Sequence, residues 1–141
     1  MIRSAEPQDL PAVLALLTEA KLPTEGVAEH FRSFLVSEQE GRIVAGAGLE
    51  FRRGTALLRS LVVAPDSRGA GLGAAVLRRA LSEAHGRVAE VYALTTTAET
   101  YLTKFGFERV TRDSLPEELL ESSELQGACP DSAVVLRRGA G

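Results

Sequence analysis

The run Arg68-Gly69-Ala70-Gly71-Leu72-Gly73 decides how this chain of 141 residues is read. Residues 56–63 before it (Ala-Leu-Leu-Arg-Ser-Leu-Val-Val) are apolar and β-branched enough for a buried strand. Behind it, Leu72, Val76, Leu77, Ala80 and Leu81 recur at helical spacing, so a helix opens in the run and reaches about Ala84. A strand, a glycine-rich turn and a helix start leave backbone N–H groups uncovered at the positive end of the helix dipole. That is a seat for a phosphate or diphosphate. Arg68 adds a cation at its rim. The competing reading is a plain glycine turn between strand and helix.

Working outward, residues 2–5 read as a short strand, and Pro7-Gln8-Asp9 opens a helix carrying Leu10, Val13, Leu14, Leu16 and Leu17 on one face. Leu22-Pro23-Thr24-Glu25-Gly26 breaks that helix, and a second short one with Val27, His30 and Phe31 follows. Residues 34–36 and 42–51 form a hairpin across the polar turn at 38–41, and Arg52-Arg53-Gly54-Thr55 turns into strand 56–63. Past the long helix come a strand at 88–94, a helix at 97–105 stopped by Gly106, and a strand at 107–110. A short helix at 115–120 and a last strand at 133–136 complete the chain. The expected order is β-α-α-β-β-β-α-β-α-β-α-β, an α/β (α+β) arrangement in which helices pack on a mixed sheet.

Length fits one domain spanning residues 1–141. With 45% apolar and 25% charged residues the composition is that of a soluble globular protein. No apolar run is long enough to span a bilayer, and Met1-Ile2-Arg3-Ser4-Ala5-Glu6-Pro7 lacks a signal-peptide core, so neither a membrane partner nor export is expected and the cytoplasm is. A net charge of −3 argues against nucleic acid as the partner. Cys129 is the sole cysteine, which rules out an intrachain disulfide and a cysteine-based metal cluster. It reads as structural, beside Pro130. His30 and His85 lie outside any ligand-spaced motif and read as surface or capping residues, and no metal is expected.

The order of elements, with Arg68-Gly69-Ala70-Gly71-Leu72-Gly73 after the fourth strand and Ala98 then Phe105-Gly106-Phe107 after the fifth, resembles the GNAT N-acetyltransferase superfamily. Its loop, Gln/Arg-x-x-Gly-x-Gly/Ala, is matched by Arg68, Gly71 and Gly73. Residues 57–63, the stretch Leu94-Thr95-Thr96-Thr97-Ala98-Glu99 and the tail Cys129-Pro130-x-Ser132-Ala133 resemble the arsenic-resistance N-acetyltransferase-like group. A second resemblance is to the acetyltransferase domain of N-acetylglutamate synthase, through the Leu-Thr-Thr stretch and Ser114-Leu115-Pro116.

The resemblance implies a mixed sheet of six to seven strands flanked by helices, and acetyl transfer from acetyl-CoA to the amine of a small, amino-acid-like acceptor, with an arsenic-resistance role in view. It implies that N–H groups of Arg68, Gly69, Ala70, Gly71, Leu72 and Gly73 bind the CoA diphosphate. Leu61, Val62 and Val63 would pair with the pantetheine arm, and the N–H of Leu61 or Val62 would face the oxyanion. Loss of one such donor costs about 3–4 kcal/mol of barrier. Thr95 stands where the superfamily often has Asn near the CoA arm. The superfamily's acid, a Tyr four residues before the glycine that ends the helix, is Leu102 here. Tyr101 is one residue earlier, roughly 100° around the helix. Tyr101, Tyr92 or a water remain as the acid. Glu50 is the candidate base, with a solvated strand-end charge as the competing reading. Arg59, Ser60 and Thr96 are candidates for the acceptor, Arg59 because a guanidinium grips a carboxylate bidentately. A single cysteine makes direct arsenite capture by one chain unfavourable. The resemblance also allows a homodimer.

Two other nucleotide loops fit less well. Gly73 is followed by Ala74-Ala75, not the Lys-Ser/Thr of a Walker loop, and Arg59-Ser60 interrupts the strand that a Rossmann fingerprint needs. A GNAT-fold protein that holds CoA without turnover is the remaining alternative.

Overall fold

Alternation along the strands divides the molecule into two apolar faces. The computed structural model describes residues 1–127 and 132–140; Cys129 and Pro130 lie outside them. The strands are β1 (Ile2–Ser4), β2 (Phe34–Gln39), β3 (Arg42–Phe51), β4 (Thr55–Val63), β5 (Glu90–Thr95), β6 (Glu108–Val110) and β7 (Val134–Gly139). They form one 7-stranded sheet in the order β1-β2-β3-β4-β5-β7-β6. Every pairing is antiparallel except β4 with β5. That pair is parallel because the chain between them crosses over through a helix, α2 (Leu72–Ala84).

Successive side chains of a strand point to opposite faces. On β2, Leu35 points to the cluster under Val76, Leu77, Ala80 and Ala84 of α2. Its neighbours Phe34 and Val36 join Val13 and Leu17 of α1 (Leu10–Glu19) on the other face. A third cluster packs Leu57, Tyr92 and Val135 under Leu119 of the C-terminal turns.

The predicted elements are present with adjusted ends. The second short helix is a 3-10 helix, Ala28–Ser33, and the segment predicted at 115–120 is another, Glu117–Glu121. The helix expected over 97–105 contracts to α3 (Glu99–Thr103) because the Thr95 hydroxyl accepts the N–H groups of Thr97 and Ala98, at 3.2 and 2.8 Å, and holds that stretch as a turn. Gly106, at φ 90°, then turns the chain towards β6. A further 3-10 helix, Ser123–Leu125, has no apolar periodicity to announce it. Among the described residues no helix is long and apolar enough to cross a membrane.

Candidate active site

Strands β4 and β5 are hydrogen-bonded only from Thr55 with Glu90 to Leu58 with Ala93. Beyond that point they part, and the cause lies in β4. Ser60 has φ 61°, a conformation that costs a non-glycine residue energy, and the β3 register shifts between Gly46 and Gly48 as Arg59 gives way to Val62. The bulge bends β4 away and leaves one edge unpaired. A cavity of about 680 Å³ opens along this edge, lined by Ser60 to Val63, the glycine run, Thr95 to Ala98 and Tyr101.

The phase of the β3–β4 ladder identifies which amides face the wedge. Ala64 donates its N–H to the Val44 carbonyl at 2.7 Å, so it points to β3. Amides alternate along a strand, so the Val62 N–H also points to β3, and those of Leu61 and Val63 turn to the open edge. The Val63 carbonyl lies on that same side, where it accepts from Arg68 Nε at 3.3 Å.

At one end of the wedge stands the start of α2. Gly71 is its N-cap residue, in a left-handed conformation (φ 77°) that glycine alone adopts without strain, and no side chain caps the helix there. Ala75 is the first residue to bond back, to the Gly71 carbonyl at 3.1 Å. The amides of the first turn therefore lack intrahelical acceptors, as at any helix start. A Cβ built on Gly69 or Gly71 would meet nothing within 4 Å, so these positions need glycine for their backbone angles. Gly73 differs: a Cβ there would lie 3.3 Å from Val63 Cγ2 and 3.4 Å from the Tyr101 hydroxyl. Arg68, Gly69, Gly71, Leu72 and Gly73 line the cavity, and Ala70 stands outside it, exposed.

Of the chain's two tyrosines, only Tyr101 lines the cavity. Its ring packs on Phe105, with centroids 5.2 Å apart, which aims the hydroxyl at the first turn of α2. Tyr92, the other candidate acid, is corrected by the structure. It is buried on the opposite face and donates to Glu90 at 3.2 Å, and burial pushes its phenol up from the ordinary value.

The other end of the wedge is built from charge. Arg59 has a fully buried side chain, and its Nη1 lies 2.7 Å from Glu50 Oε2. Its Nε meets Ser60 Oγ at 3.1 Å and Glu124 Oε2 at 3.5 Å. The same guanidinium donates to Ser123 Oγ at 3.5 Å and to the Pro23 carbonyl at 3.4 Å. Ser123 in turn donates to the Glu25 carbonyl at 2.9 Å, tying the 3-10 helix Ser123–Leu125 to the loop at 23–26. Gly26 makes room for this crossing, since a Cβ there would lie 2.5 Å from Ser123 Oγ. Lys21, Leu22 and Pro23, which lead into that loop, complete this end of the cavity with Glu124.

Two expectations are corrected by this geometry. Glu50 is neither a base at the cleft nor a solvated strand end. It is 1% exposed and outside the cavity lining, and its second oxygen binds Arg52 Nη2 at 3.1 Å. Arg59 lines the cavity but offers no free fork to an acceptor carboxylate, because four of its five N–H donors are already taken inside the protein. His30 also departs from a surface role. It is half-buried 3.5 Å from Glu50, and burial lowers its pKa, which keeps it neutral. His85 closes α2, its Nδ1 3.0 Å from the Ala140 carbonyl. Ser60, Thr95 and Thr96 line the cavity. Glu124 and Lys21 carried no sequence signal: one lies on an irregular acidic stretch, the other just past a helix end. Among the described residues, no cluster of three metal-ligating side chains is present.

The chain as a whole is similar to known proteins. The family model for an acetyltransferase (GNAT) domain matches residues 30–109. The uncharacterized protein YwlB of Bacillus subtilis is 32% identical over 99% of this chain and 97% of its own. The amino-acid acetyltransferase of Neisseria meningitidis is 24% identical over 97% of this chain but only 33% of its own length, so this chain spans about a third of it. In fold, the chain is similar to N-acetylglutamate synthase from Neisseria gonorrhoeae, solved with coenzyme A and N-acetyl-glutamate. The TM-score is 0.85 at 24% identity, over 100% of this chain and 35% of that one. The chain belongs to the GNAT acetyltransferase family.

Proposed function

We propose that this protein moves an acetyl group from acetyl-CoA to the amine of a small, amino-acid-like acceptor. The observation that carries the reading is the parted β4–β5 edge leading to the uncapped start of α2. The diphosphate sits on the amides of the glycine run, where short N–H donors and the helix dipole favour a dianion. Pantetheine adds to the free edge of β4 through Leu61 and Val63 in the manner of an extra strand. Thr95 offers a hydroxyl proton to the arm, since its oxygen already accepts from Thr97 and Ala98.

In this reading the thioester carbonyl meets the Leu61 N–H, chosen over Val62 by the phase of the ladder. That donor stabilises the tetrahedral oxyanion in a site the apolar walls keep partly dry. The amine nitrogen attacks the carbonyl carbon, the C–S bond breaks, and Tyr101 protonates the departing thiolate. Acceptor size is limited by the tie between Ser123–Leu125 and the loop at 23–26, which roofs the far end. Ser60 and Thr96 supply hydroxyls there, and amino acids, including arsenic-containing ones, are the acceptors to screen first.

The test is thermal shift with acetyl-CoA, CoA and NAD, followed by thiol release with a panel of small amines. Stabilisation by the CoA species and thiol release with an amino-acid-like amine are expected. Stabilisation by NAD alone would overturn the reading, and CoA binding without thiol release would favour a non-catalytic CoA binder.

A further inference from the structure

We infer that Glu124 is the carboxylate that receives the acceptor's ammonium group and takes its proton. The inference rests on the acetyl-transfer reading above and deepens it by naming the group that meets the amine. Among the described residues lining the cavity, Glu124 is the sole acidic side chain. It is 4% exposed, so its charge acts in a poorly hydrated site where its attraction for a cation is strong.

Its position follows from a shared contact. Arg59 Nε lies 3.1 Å from Ser60 Oγ and 3.5 Å from Glu124 Oε2, so the carboxylate and the Ser60 hydroxyl converge on one N–H. Ser60 is the bulge residue, and the next amide along β4 is that of Leu61. Glu124 therefore belongs to the end of the wedge where the thioester lies, away from the glycine run. The Ser122 hydroxyl accepts the Glu124 N–H at 3.2 Å and fixes the start of its 3-10 turn. Arg59 is a positioning residue: its Nε anchors Glu124 Oε2 while Glu50 and Arg52 balance the remaining charge.

The proton balance is complete. An acceptor arrives as R–NH3⁺ and gives one proton to the Glu124 carboxylate. The neutral nitrogen forms the C–N bond, the C–S bond breaks as Tyr101 protonates the sulfur, and the second nitrogen proton restores the Tyr101 phenol as the amide forms. Glu124 then releases its proton to solvent.

The experiment compares the parent and Glu124→Gln with the amine that the parent acetylates best. The expected result is a fall in kcat/KM of about 100-fold or more, with the affinity of the folded variant for acetyl-CoA unchanged within about twofold. A variant that keeps kcat/KM within about threefold overturns the inference while the acetyl-transfer reading stands. A parent that acetylates none of the amines overturns both. Should the variant not fold, the parent decides through inhibition by two acceptor analogues, one bearing a trimethylammonium group and one its neutral tert-butyl isostere. The cation is expected to inhibit at least about tenfold more tightly, a gap of 1.4 kcal/mol or more; equal inhibition overturns the inference.

Discussion

The two ends of the wedge are made of different materials. The proposed cofactor end is backbone: a left-handed Gly71, the open amides of α2 and the unpaired edge of β4. The proposed acceptor end is side chain: Arg59 buried among Glu50, Glu124, Ser60 and Ser123, with a 3-10 turn strapped to the loop at 23–26. A main-chain site can serve many acceptors with one cofactor, because its donors do not depend on side-chain identity. A buried charge cluster is specific, and fails when one partner is lost. In the proposed reading, the invariable half of the chemistry and the selective half are held by separate means within one fold.

Substitutions at each end should break them differently. The largest effect is expected from Gly71→Glu, which puts a strained side chain and a negative charge at the diphosphate seat. Affinity for acetyl-CoA should fall by about 100-fold or more, a loss of about 3 kcal/mol by calorimetry. Unchanged affinity would mean the diphosphate lies elsewhere. Next comes Arg59→Met, which leaves two buried carboxylates short of a cation. We expect a loss of about 3 kcal/mol in folding stability by urea titration, with acetyl-CoA affinity in the remaining folded protein within about threefold of the parent. A stable variant that had lost cofactor affinity instead would erase the division between the two ends. Tyr101→Phe sharpens the line between them. Turnover should drop about tenfold while cofactor affinity holds, and a loss of affinity without loss of turnover would make the phenol a binding contact.

The same division explains what the sequence makes legible. The glycine run, α2 and the hairpin are local patterns, in which residues a few positions apart create both the element and its exposed amides. Gly71 and the Leu72, Val76, Leu77, Ala80 spacing therefore mark the turn and helix of the proposed cofactor end directly. The acceptor end joins Arg59 to Ser123 across 64 positions and Ser123 to Glu25 across 98. No periodicity records such a meeting. Glu50 illustrates the error this produces: an acidic residue at the end of an apolar strand reads as poised at a cleft, but two arginines hold it in the interior. The bulge is half visible, since Arg59-Ser60 breaks an apolar strand, but the positive φ of Ser60 and the swing of the Val62 amide towards β3 are set by the register of pairing with that strand.

The central claim, that main-chain amides at the start of α2 hold the diphosphate, is tested most directly by amide NMR during titration with CoA and, separately, with pantetheine. The account predicts that the Gly71, Leu72 and Gly73 resonances shift on CoA and stay in place with pantetheine, which lacks the diphosphate. Saturable CoA binding that leaves those amides unmoved would contradict it.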